Sequence, residues 1–468
     1  MIHRVLVRVN EFPVDNPVCK VNHDRGMEWR ADGKDDDSKK IAEEAHMSSV
    51  YSAKWFRCAV TALFIMFLAT QPAAGSAASL QQPAFKKAII LSVPGLSFME
   101  IDSQTASLYP HISLLLENGA VGGLNTRTPV RGTEDNYLTI GSGAFAEAME
   151  QVQGFGRAET AEGVPAHVLY ARYLGQSAGE AEIVVPEMAR LRQANEAGHY
   201  QADIGLLGET LKAHGVSRYV LGNRDRGSEG GDLGKRHAPL MLMDKDGLVG
   251  QGNVGAATLL PDPLRPFSVK TNYAYLLKEM EKVRAPAVVL LELGDLDRLY
   301  AERSGYSETR FARQKQEILA EIDRFLGQCL ALLDEDDVLL LFSPLVHAEA
   351  REQKYLLSPV IWYGGQIPEG LLTSQTTKRQ EVIANIDLAP ALLKEFGLPV
   401  PAQMIGLPVQ VVPQDEAFPQ LEHLINRMQK IYQLRLDMLY PFVTYEVIVL
   451  LAALATAVFQ LRRLKKWL

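Results

Sequence analysis

The sequence predicts an α/β fold, in which a sheet carries helices on its faces. Between residues 86 and 410, short apolar runs alternate with longer amphipathic segments. Short, unbroken apolar runs such as residues 287–293 are typical of strands buried on both faces, and the long amphipathic segment 308–334 is typical of a helix that covers a sheet. The alternation of the two kinds of segment indicates the layered α/β class.

Breaking and capping residues mark where the predicted elements begin and end. Pro94 and Gly95 end the first strand, Thr133 is predicted to cap a helix, and Gly397 with Pro399 stops the last helix. The predicted strands are 87–93, 217–221, 287–293, 337–342 and 359–363. The predicted helices are 104–118, 134–148, 203–214, 271–284, 308–334 and 387–396, and 239–252 is predicted to be a hairpin that turns at Asp246-Gly247.

Two regions depart from this alternation. Residues from about 150 to 270 have weaker strand signals and many glycine, alanine and polar residues, so we expect an insertion or cap over the core. Residues 411–437 are polar and partly helical, and we expect them to be a linker that leads towards a membrane. The main domain is therefore predicted to span 86–410.

The N-terminal region has the pattern of a secretory signal peptide. Lys54 and Arg57 precede an apolar run at 58–69, and a small-residue stretch at 73–78 follows it, so residues 47–78 are predicted to be a signal peptide cleaved after Ala77 or Ala78. An uncleaved anchor helix is the alternative. Residues 1–46 are polar and lack apolar periodicity, and they are predicted to be a disordered leader or, if Met47 is the true start, a wrongly assigned one.

The C-terminal region has the pattern of a membrane span. Residues 439–461 are apolar with one charge, Glu446, and are long enough to cross a hydrocarbon layer of about 30 Å. The basic residues of 462–468 follow directly, and the positive-inside rule places them in the cytoplasm. The sequence thus predicts a single-pass protein of the cell membrane whose bulk is extracytoplasmic. A buried core helix is the alternative.

Composition narrows the class of partner. The formal net charge of −8 argues against a nucleic-acid partner, which would require a basic face. Of the three cysteines, only Cys329 lies after the predicted signal peptide, so the mature domain cannot contain an internal disulfide and must be stabilised by its core.

Two sequence stretches indicate a family. Residues 383–393 (IANIDLAPALL) resemble the signature that closes the core of alkaline phosphatase superfamily enzymes, and residues 133–143 (TEDNYLTIGSG) resemble the stretch around the nucleophile in the phosphodiesterase branch. The superfamily also includes sulfatases and cofactor-independent phosphoglycerate mutases. The resemblance covers about residues 86–410 and implies a mostly parallel sheet sandwiched by helices, with two divalent metals at the carboxyl ends of the strands.

Carried over to this chain, the resemblance implies Thr133 as nucleophile and Asp295 as a metal ligand. Other expected ligand positions carry residues that cannot bind metal. The first-strand aspartate is replaced by Pro94, the histidine four residues after Asp295 is Leu299, and the expected Asp-His pair is Pro344-Leu345. A reduced site with one divalent metal, Zn or Mn, would use Asp295, Asp297, His347 and Glu349.

These residues also have simpler interpretations. Thr133 and Asp387 are both suited to capping a helix, and Asp295 and Asp297 can begin a helix with Arg298 as a nearby partner. A single loop histidine such as His347 is most often not a ligand.

These observations support two hypotheses about function, and a third hypothesis is a variant of the first. The preferred hypothesis is a pseudoenzyme, a membrane-anchored extracytoplasmic module that binds a ligand or an envelope protein. The alternative is an active metal-dependent hydrolase of phosphate or sulfate esters that uses Thr133. A purely structural subunit of a membrane complex differs from the first hypothesis only in having no ligand.

Overall fold

An eleven-stranded mixed sheet lies at the centre of the computed structural model, which describes residues 86–104, 106–227 and 234–458. The chain divides into two units, 1–79 and 80–468, and all of the described residues belong to the second. The predicted leader at 1–46, the predicted signal peptide at 47–78 and the basic tail at 462–468 lie outside the described residues.

The strands, numbered in chain order, vary from two to seven residues in length. They are β1 Lys87–Ser92, β2 Ala120–Asn125, β3 Phe155–Gly156, β4 Thr160–Ala161, β5 Val164–Pro165, β6 Ile183–Val184, β7 Ser217–Asn223, β8 Leu248–Val249, β9 Gln251–Asn253, β10 Leu259–Pro261, β11 Val269–Thr271, β12 Ala287–Leu293, β13 Val338–Phe342, β14 Ser358–Gly364, β15 Gly370–Ser374, β16 Arg379–Gln380, β17 Val382–Ala384 and β18 Gln410–Pro413.

The large sheet has the order β16-β15-β2-β14-β13-β1-β12-β7-β9, with β17 beside β2 and β18 beside β15. Strands β13, β1, β12, β7 and β9 are parallel, whereas β14 is antiparallel to both β13 and β2. In this register Ile89 lies between Val289 and Leu339. The predicted fold class is confirmed, and the carboxyl ends of β1, β2, β7, β12 and β13 therefore meet at one edge of the sheet.

Helices cover both faces of this sheet. Alternate side chains of β1 point to opposite faces, so that Ile89 and Leu91 belong to one core cluster and Ala88 and Ile90 to the other. The α-helices are Pro110–Asn118, Thr133–Ser142, Ala166–Leu174, Met188–Ala197, Leu206–Ala213, Pro239–Leu242, Tyr273–Met280, Asp295–Ala301, Glu308–Leu330, Ala348–Glu352, Leu388–Glu395 and Ala417–Val458.

The predicted cap at about 150–270 is only partly a separate layer. Strands β7 and β9, which lie within it, belong to the large sheet. The small sheets β3-β6-β8 and β4-β5 lie apart from the large sheet, and beside them is a small core cluster that includes Leu169 and Tyr170. The predicted hairpin at 239–252 is wrong, because the segment begins with the helix Pro239–Leu242 and its strands β8 and β9 pair with different sheets.

The predicted linker at 411–437 is also wrong, because much of it belongs to the folded domain. Strand β18 pairs with β15, and the helix that begins at Ala417 buries Phe418, Leu421 and Ile425 in the core. The burial follows an apolar stripe with helical spacing, which the many polar residues between its members obscure in the sequence.

The same helix continues well beyond the core. From Ile431 to Val458 its large apolar side chains are exposed, and an 18-residue window has a mean hydropathy of 1.9 with 6% of it buried. Among the described residues this is the one helix long and apolar enough, by length and composition, to cross a membrane. The segment from 439 to its last described residue, 458, would extend about 30 Å as a helix.

Candidate functional site

Loops from neighbouring strands meet at the carboxyl edge of the sheet. Gly95, after β1, has a φ of +88°, and a Cβ placed there would lie 3.5 Å from the backbone of Asp297, after β12. The Gly95 amide donates to the carbonyl of Leu345, after β13. Gly294 lies so close to the β7 loop that an added Cβ would be 2.8 Å from the Cα of Arg224. The loops after β1, β7, β12 and β13 thus form one continuous region.

A buried ion network lies at the centre of this region. The Arg224 guanidinium donates through Nε to Glu292 Oε1 at 3.0 Å, and its Nη1 lies 3.5 Å from Asp297 Oδ1. Arg226 Nη2 approaches the other oxygen of Asp297 at 4.0 Å. Arg224 is 5% exposed and Glu292 is fully buried. Although burial lowers the pKa of Arg224, the carboxylates of Asp297 and Glu292 raise it above its usual range, so the guanidinium remains charged.

Two hydroxyl groups extend the network towards β1. The Tyr137 hydroxyl, from the helix Thr133–Ser142, donates to Glu292 Oε1 at 2.8 Å. Because that proton is committed, the Ser92 hydroxyl is the donor in its 2.6 Å bond to Tyr137. The hydrogen bonds thereby link β1 and the helix Thr133–Ser142 to β12 through one oxygen of Glu292.

The other Glu292 oxygen has no hydrogen-bond partner among the described residues. Burial raises the pKa of Glu292 to about 7, against the opposing effect of Arg224. Glu292 is therefore an ionisable group near neutrality in the interior of the domain.

His237 is held neutral beside Arg224. Arg224 Nη2 donates to His237 Nδ1 at 3.1 Å, which leaves the proton on Nε2, where it is donated to the Glu150 carbonyl at 2.8 Å. Burial and the charge of Arg224 lower the pKa of His237 to about 3. With Nδ1 occupied by a guanidinium donor, this ring offers no lone pair to a metal.

Asp295, predicted as a metal ligand, is saturated by other donors. Its Oδ1 accepts from Arg298 at 2.9 Å and from the Thr271 amide at 3.0 Å, and its Oδ2 accepts from the Tyr273 hydroxyl at 2.8 Å. Burial raises the pKa of Asp295, but Arg298 and these hydrogen bonds outweigh burial and lower it. The carboxylate serves to hold the start of the helix Asp295–Ala301 against β11.

His347 and Glu349 lie in a different cluster from the two aspartates. His347 Nδ1 accepts from the Ala350 amide, and its Nε2 lies 3.3 Å from Glu100 Oε1. The ring stacks on Tyr300 with centroids 3.5 Å apart, and Tyr300 also donates to Glu100 at 2.6 Å. Glu349 faces Arg303 at 3.7 Å.

Ser97, His347 and Glu100 lie together but cannot act as a hydrolytic triad. Ser97 donates to Glu100 at 2.6 Å, and its oxygen lies 3.4 Å from His347 Nε2. Because His347 Nδ1 accepts a backbone hydrogen bond, the ring proton is on Nε2, and the face towards Ser97 is a donor rather than a base. The cluster joins the loops after β1 and β13.

Thr133 occupies the first turn of the helix Thr133–Ser142 and is 7% exposed. The residue at the cap position is Gly132, and no side chain caps this helix, so the predicted capping role of Thr133 is wrong. Thr133 therefore lies at the N-terminus of the helix, where the unpaired backbone amides favour anions. Its role as nucleophile remains a prediction.

The predicted donors do not fit a metal. Asp295 and Asp297 are engaged by arginines, Glu349 faces Arg303, and His347 donates to Glu100. Over the described ranges, no group of three or more histidine, cysteine, aspartate and glutamate side chains is arranged to hold an ion. The structure thus distributes the four predicted ligands over separate ion pairs instead of directing them at one point.

Asp387, from the stretch 383–393, caps the short 3-10 helix Asn385–Asp387 and also holds two neighbouring loops. Its Oδ1 accepts from the Thr376 hydroxyl at 2.6 Å and from the Leu407 amide at 3.0 Å, and its Oδ2 accepts from the Ala384 amide at 2.9 Å. Asp387 stands at the cap position of the helix Leu388–Glu395, as predicted, but its side chain makes no cap hydrogen bond to that helix.

Sequence reasoning missed the residues at the centre of the network, Arg224, Glu292 and His237. One signal was present for Glu292, because a single carboxylate interrupts the otherwise apolar strand β12. A charge in a strand buried on both faces requires a partner, and Arg224 at the end of the adjacent strand β7 is that partner.

Comparisons with known proteins found similar solved structures only. No family model matches the chain, and no curated protein matches it. A protein in the alkaline phosphatase superfamily from Vibrio parahaemolyticus matches with a TM-score of 0.43 and 15% identity over 70% of each chain.

Two further solved structures match over a similar extent. The lipoteichoic acid synthase LtaP from Listeria monocytogenes has a TM-score of 0.40 and 11% identity, over 70% of this chain and 79% of that one. A 2-O GAG sulfatase has a TM-score of 0.42 and 11% identity, over 70% and 73%. At these values the likeness concerns the fold and not the activity. The family predicted from the sequence is the one named in the description of the Vibrio parahaemolyticus structure, at low sequence identity.

Proposed function

We propose that this chain is a membrane-anchored, extracytoplasmic module that binds a ligand or partner and does not carry out two-metal hydrolysis. The observation that carries the proposal is the position of Arg224. A guanidinium lies between Glu292 and Asp297 at the sheet edge where strand ends converge, and it neutralises carboxylates that a metal would otherwise need. An arginine cannot lose its proton to make room for a cation.

The apolar helix supports membrane anchoring. Exposed apolar side chains continue along it to Val458, and the basic residues of 462–468 follow in the sequence. By the positive-inside rule the basic end is cytoplasmic and the domain lies on the other side. A single pass is sufficient for this arrangement.

The first experiment measures metal. The full chain is purified in a neutral detergent, loaded with Mn²⁺ and Zn²⁺, freed of excess ion and analysed by elemental mass spectrometry. We expect no tightly held ion. About one or two ions per chain, reduced in Asp297→Asn but not in the surface variant Glu317→Gln, would contradict the proposal and favour the hydrolase.

A second experiment addresses Thr133 directly. Aryl phosphate and aryl sulfate esters are offered to the unmodified chain, to Thr133→Ala and to Thr133→Ser. The proposal expects no turnover by any of the three. Turnover that disappears in Thr133→Ala and partly survives in Thr133→Ser would establish a hydroxyl nucleophile.

Topology is tested by labelling intact cells with a membrane-impermeant maleimide. Ser307→Cys, on an exposed loop, should be labelled above the unmodified chain, whereas Lys466→Cys should be labelled only after permeabilisation. The reverse pattern would contradict the orientation.

A further inference from the structure

A cavity of about 800 Å³ opens at the carboxyl end of β2, a volume typical of small-molecule sites. Four arginines line it: Arg127 and Arg131 from the loop after β2, Arg351 from the helix Ala348–Glu352, and Arg379 from β16. Among the described residues that line the cavity, none is acidic. The cavity therefore concentrates positive charge within a protein whose net charge is negative.

The arginines of this cavity differ from the others at the same sheet edge. None of the four forms an ion pair with a carboxylate of the described residues, and Arg127 lies over the Phe145 ring at 5.7 Å. Burial and the nearby charge of Arg131 lower the pKa of Arg351, against the weaker opposing effect of the Glu352 carboxylate. Like charges held close together favour the binding of an anion between them.

The walls of the cavity are well supported. The buried amide of Asn385 donates to the Arg127 carbonyl at 2.9 Å and to Asn136 at 2.8 Å, which fixes the loop that carries Arg127. Thr376, on the opposite wall, donates to the buried carboxylate of Asp387. Such support reduces the entropy lost when a ligand orders the site.

The cavity also borders the helix that leaves the domain. Met428 and Tyr432 of the helix Ala417–Val458 line it. Tyr432 is seven residues before Leu439, where the predicted span begins, and seven residues of helix extend about 10 Å. The polar headgroup layer outside each hydrocarbon boundary is about 5–8 Å thick, so the cavity lies next to it if the span is inserted.

From this placement we propose that the cavity binds the phosphate of an anionic phospholipid headgroup, with Arg131 and Arg351 as its principal partners. Guanidinium groups bind phosphate oxygens in paired hydrogen bonds, and an apolar border of Met428 and Tyr432 suits the glycerol and upper acyl chain. The assignment rests on the proposed membrane anchoring and names the ligand class for that function.

The experiment measures binding to the full chain in dodecyl maltoside by calorimetry. The ligands are dioctanoyl-phosphatidylglycerol, dioctanoyl-phosphatidylcholine and inorganic phosphate. The variants are Arg131→Gln/Arg351→Gln and a matched control, Arg313→Gln, whose arginine is on the exposed face of the helix Glu308–Leu330.

We expect phosphatidylglycerol to bind at least about tenfold more tightly than either other ligand. The double substitution should weaken that binding by about tenfold or more, while Arg313→Gln changes it by less than about twofold. Equal binding of phosphatidylglycerol and phosphatidylcholine, equal loss in both variants, or no binding would overturn the proposal. Inorganic phosphate binding as tightly as phosphatidylglycerol would also overturn it and identify free phosphate as the ligand.

This test is independent of the anchoring test. Binding is measured in detergent, where orientation in a cell has no influence, and no metal is involved. A failed topology experiment with intact lipid binding, or the reverse, would therefore show which of the two proposals is wrong.

Discussion

Two groups of arginines lie at the carboxyl edge of the same sheet, and they differ in whether carboxylates neutralise their charge. Arg224 is buried and neutralised by Glu292 and Asp297. Arg131 and Arg351 line an open cavity whose described lining residues include no carboxylate. A charge that is internally paired stabilises the fold only when both partners remain, whereas a charge left unpaired is available to a ligand. The comparison predicts large structural effects for the first group and small ones for the second.

The largest effect should come from Arg224→Leu. Removing the guanidinium leaves the buried Glu292 carboxylate without its partner, and we expect the free energy of unfolding to fall by about 3–5 kcal/mol. Urea denaturation of the full chain in detergent measures it. Arg313→Leu, which removes an exposed ion pair with Glu317, should cost less than about 1 kcal/mol. Similar losses in both variants would contradict the paired-charge interpretation.

Asp387→Ala should have the next largest effect. The substitution leaves the Ala384 and Leu407 amides and the Thr376 hydroxyl without their acceptor, at a cost of about 3 kcal/mol in the free energy of unfolding. Asp387→Asn keeps one acceptor oxygen and should lose less. Thermal unfolding compares the two, and an equal loss would mean that volume rather than hydrogen bonding matters.

The ionisation of Glu292 should give the network a pH dependence. Its pKa is raised to about 7 in the folded state, from an unfolded value of 4.5. Because the folded state holds this proton more tightly than the unfolded state does, the free energy of unfolding decreases as the pH rises. The stabilising contribution of the protonated Glu292 to the free energy of unfolding is fully present below pH 4.5 and is lost as the pH rises through about 7.

Glu292→Gln removes this titration, so between those pH values its stability should fall less steeply with rising pH than that of the unmodified chain. One titrating group can change the free energy of unfolding by at most about 1.4 kcal/mol per pH unit, so the two slopes should differ by no more than this. Asp135, whose pKa burial also raises to about 7, remains in both proteins and serves as a common background. Parallel curves would show that Glu292 does not titrate in this range.

The smallest structural effect should come from the cavity. Arg131→Gln removes one of two like charges and no ion pair of the described residues, so the free energy of unfolding should change by less than about 0.5 kcal/mol. Chemical denaturation without ligand measures it. A loss comparable to that of Arg224→Leu would show that the cavity arginines are structural and would remove the contrast between the two groups.

Parts of the candidate site were predictable because local sequence determines them. The order of strands and the placement of Asp295 and Asp297 after β12 follow from an apolar run that ends in glycine and acidic residues. The partners of these carboxylates were not predictable. Arg224 is 68 residues from Glu292, and Tyr137 is 155 residues from it, so no spacing along the chain relates them.

In the C-terminal region, too, one part was predictable from the sequence and another part was not. Its apolar stretch from 439 onward is long enough to identify from composition alone. The first turns of the same helix, with Phe418, Leu421 and Ile425 in the core, have the sequence pattern of a linker because polar residues separate the apolar ones. Their burial depends on the groove that the helix Pro110–Asn118 and the strands β2 and β15 provide.

The layered α/β class, the motif stretches at 133–143 and 383–393 and the apolar C-terminal segment can all be read from the amino-acid sequence, because each depends on the periodicity or composition of neighbouring residues. Which charges are neutralised, and which stay open to a ligand, is set by the folded arrangement of the chain. That outcome depends on side chains brought together from distant strands, where burial makes every unpaired charge costly and every pairing a consequence of the whole fold.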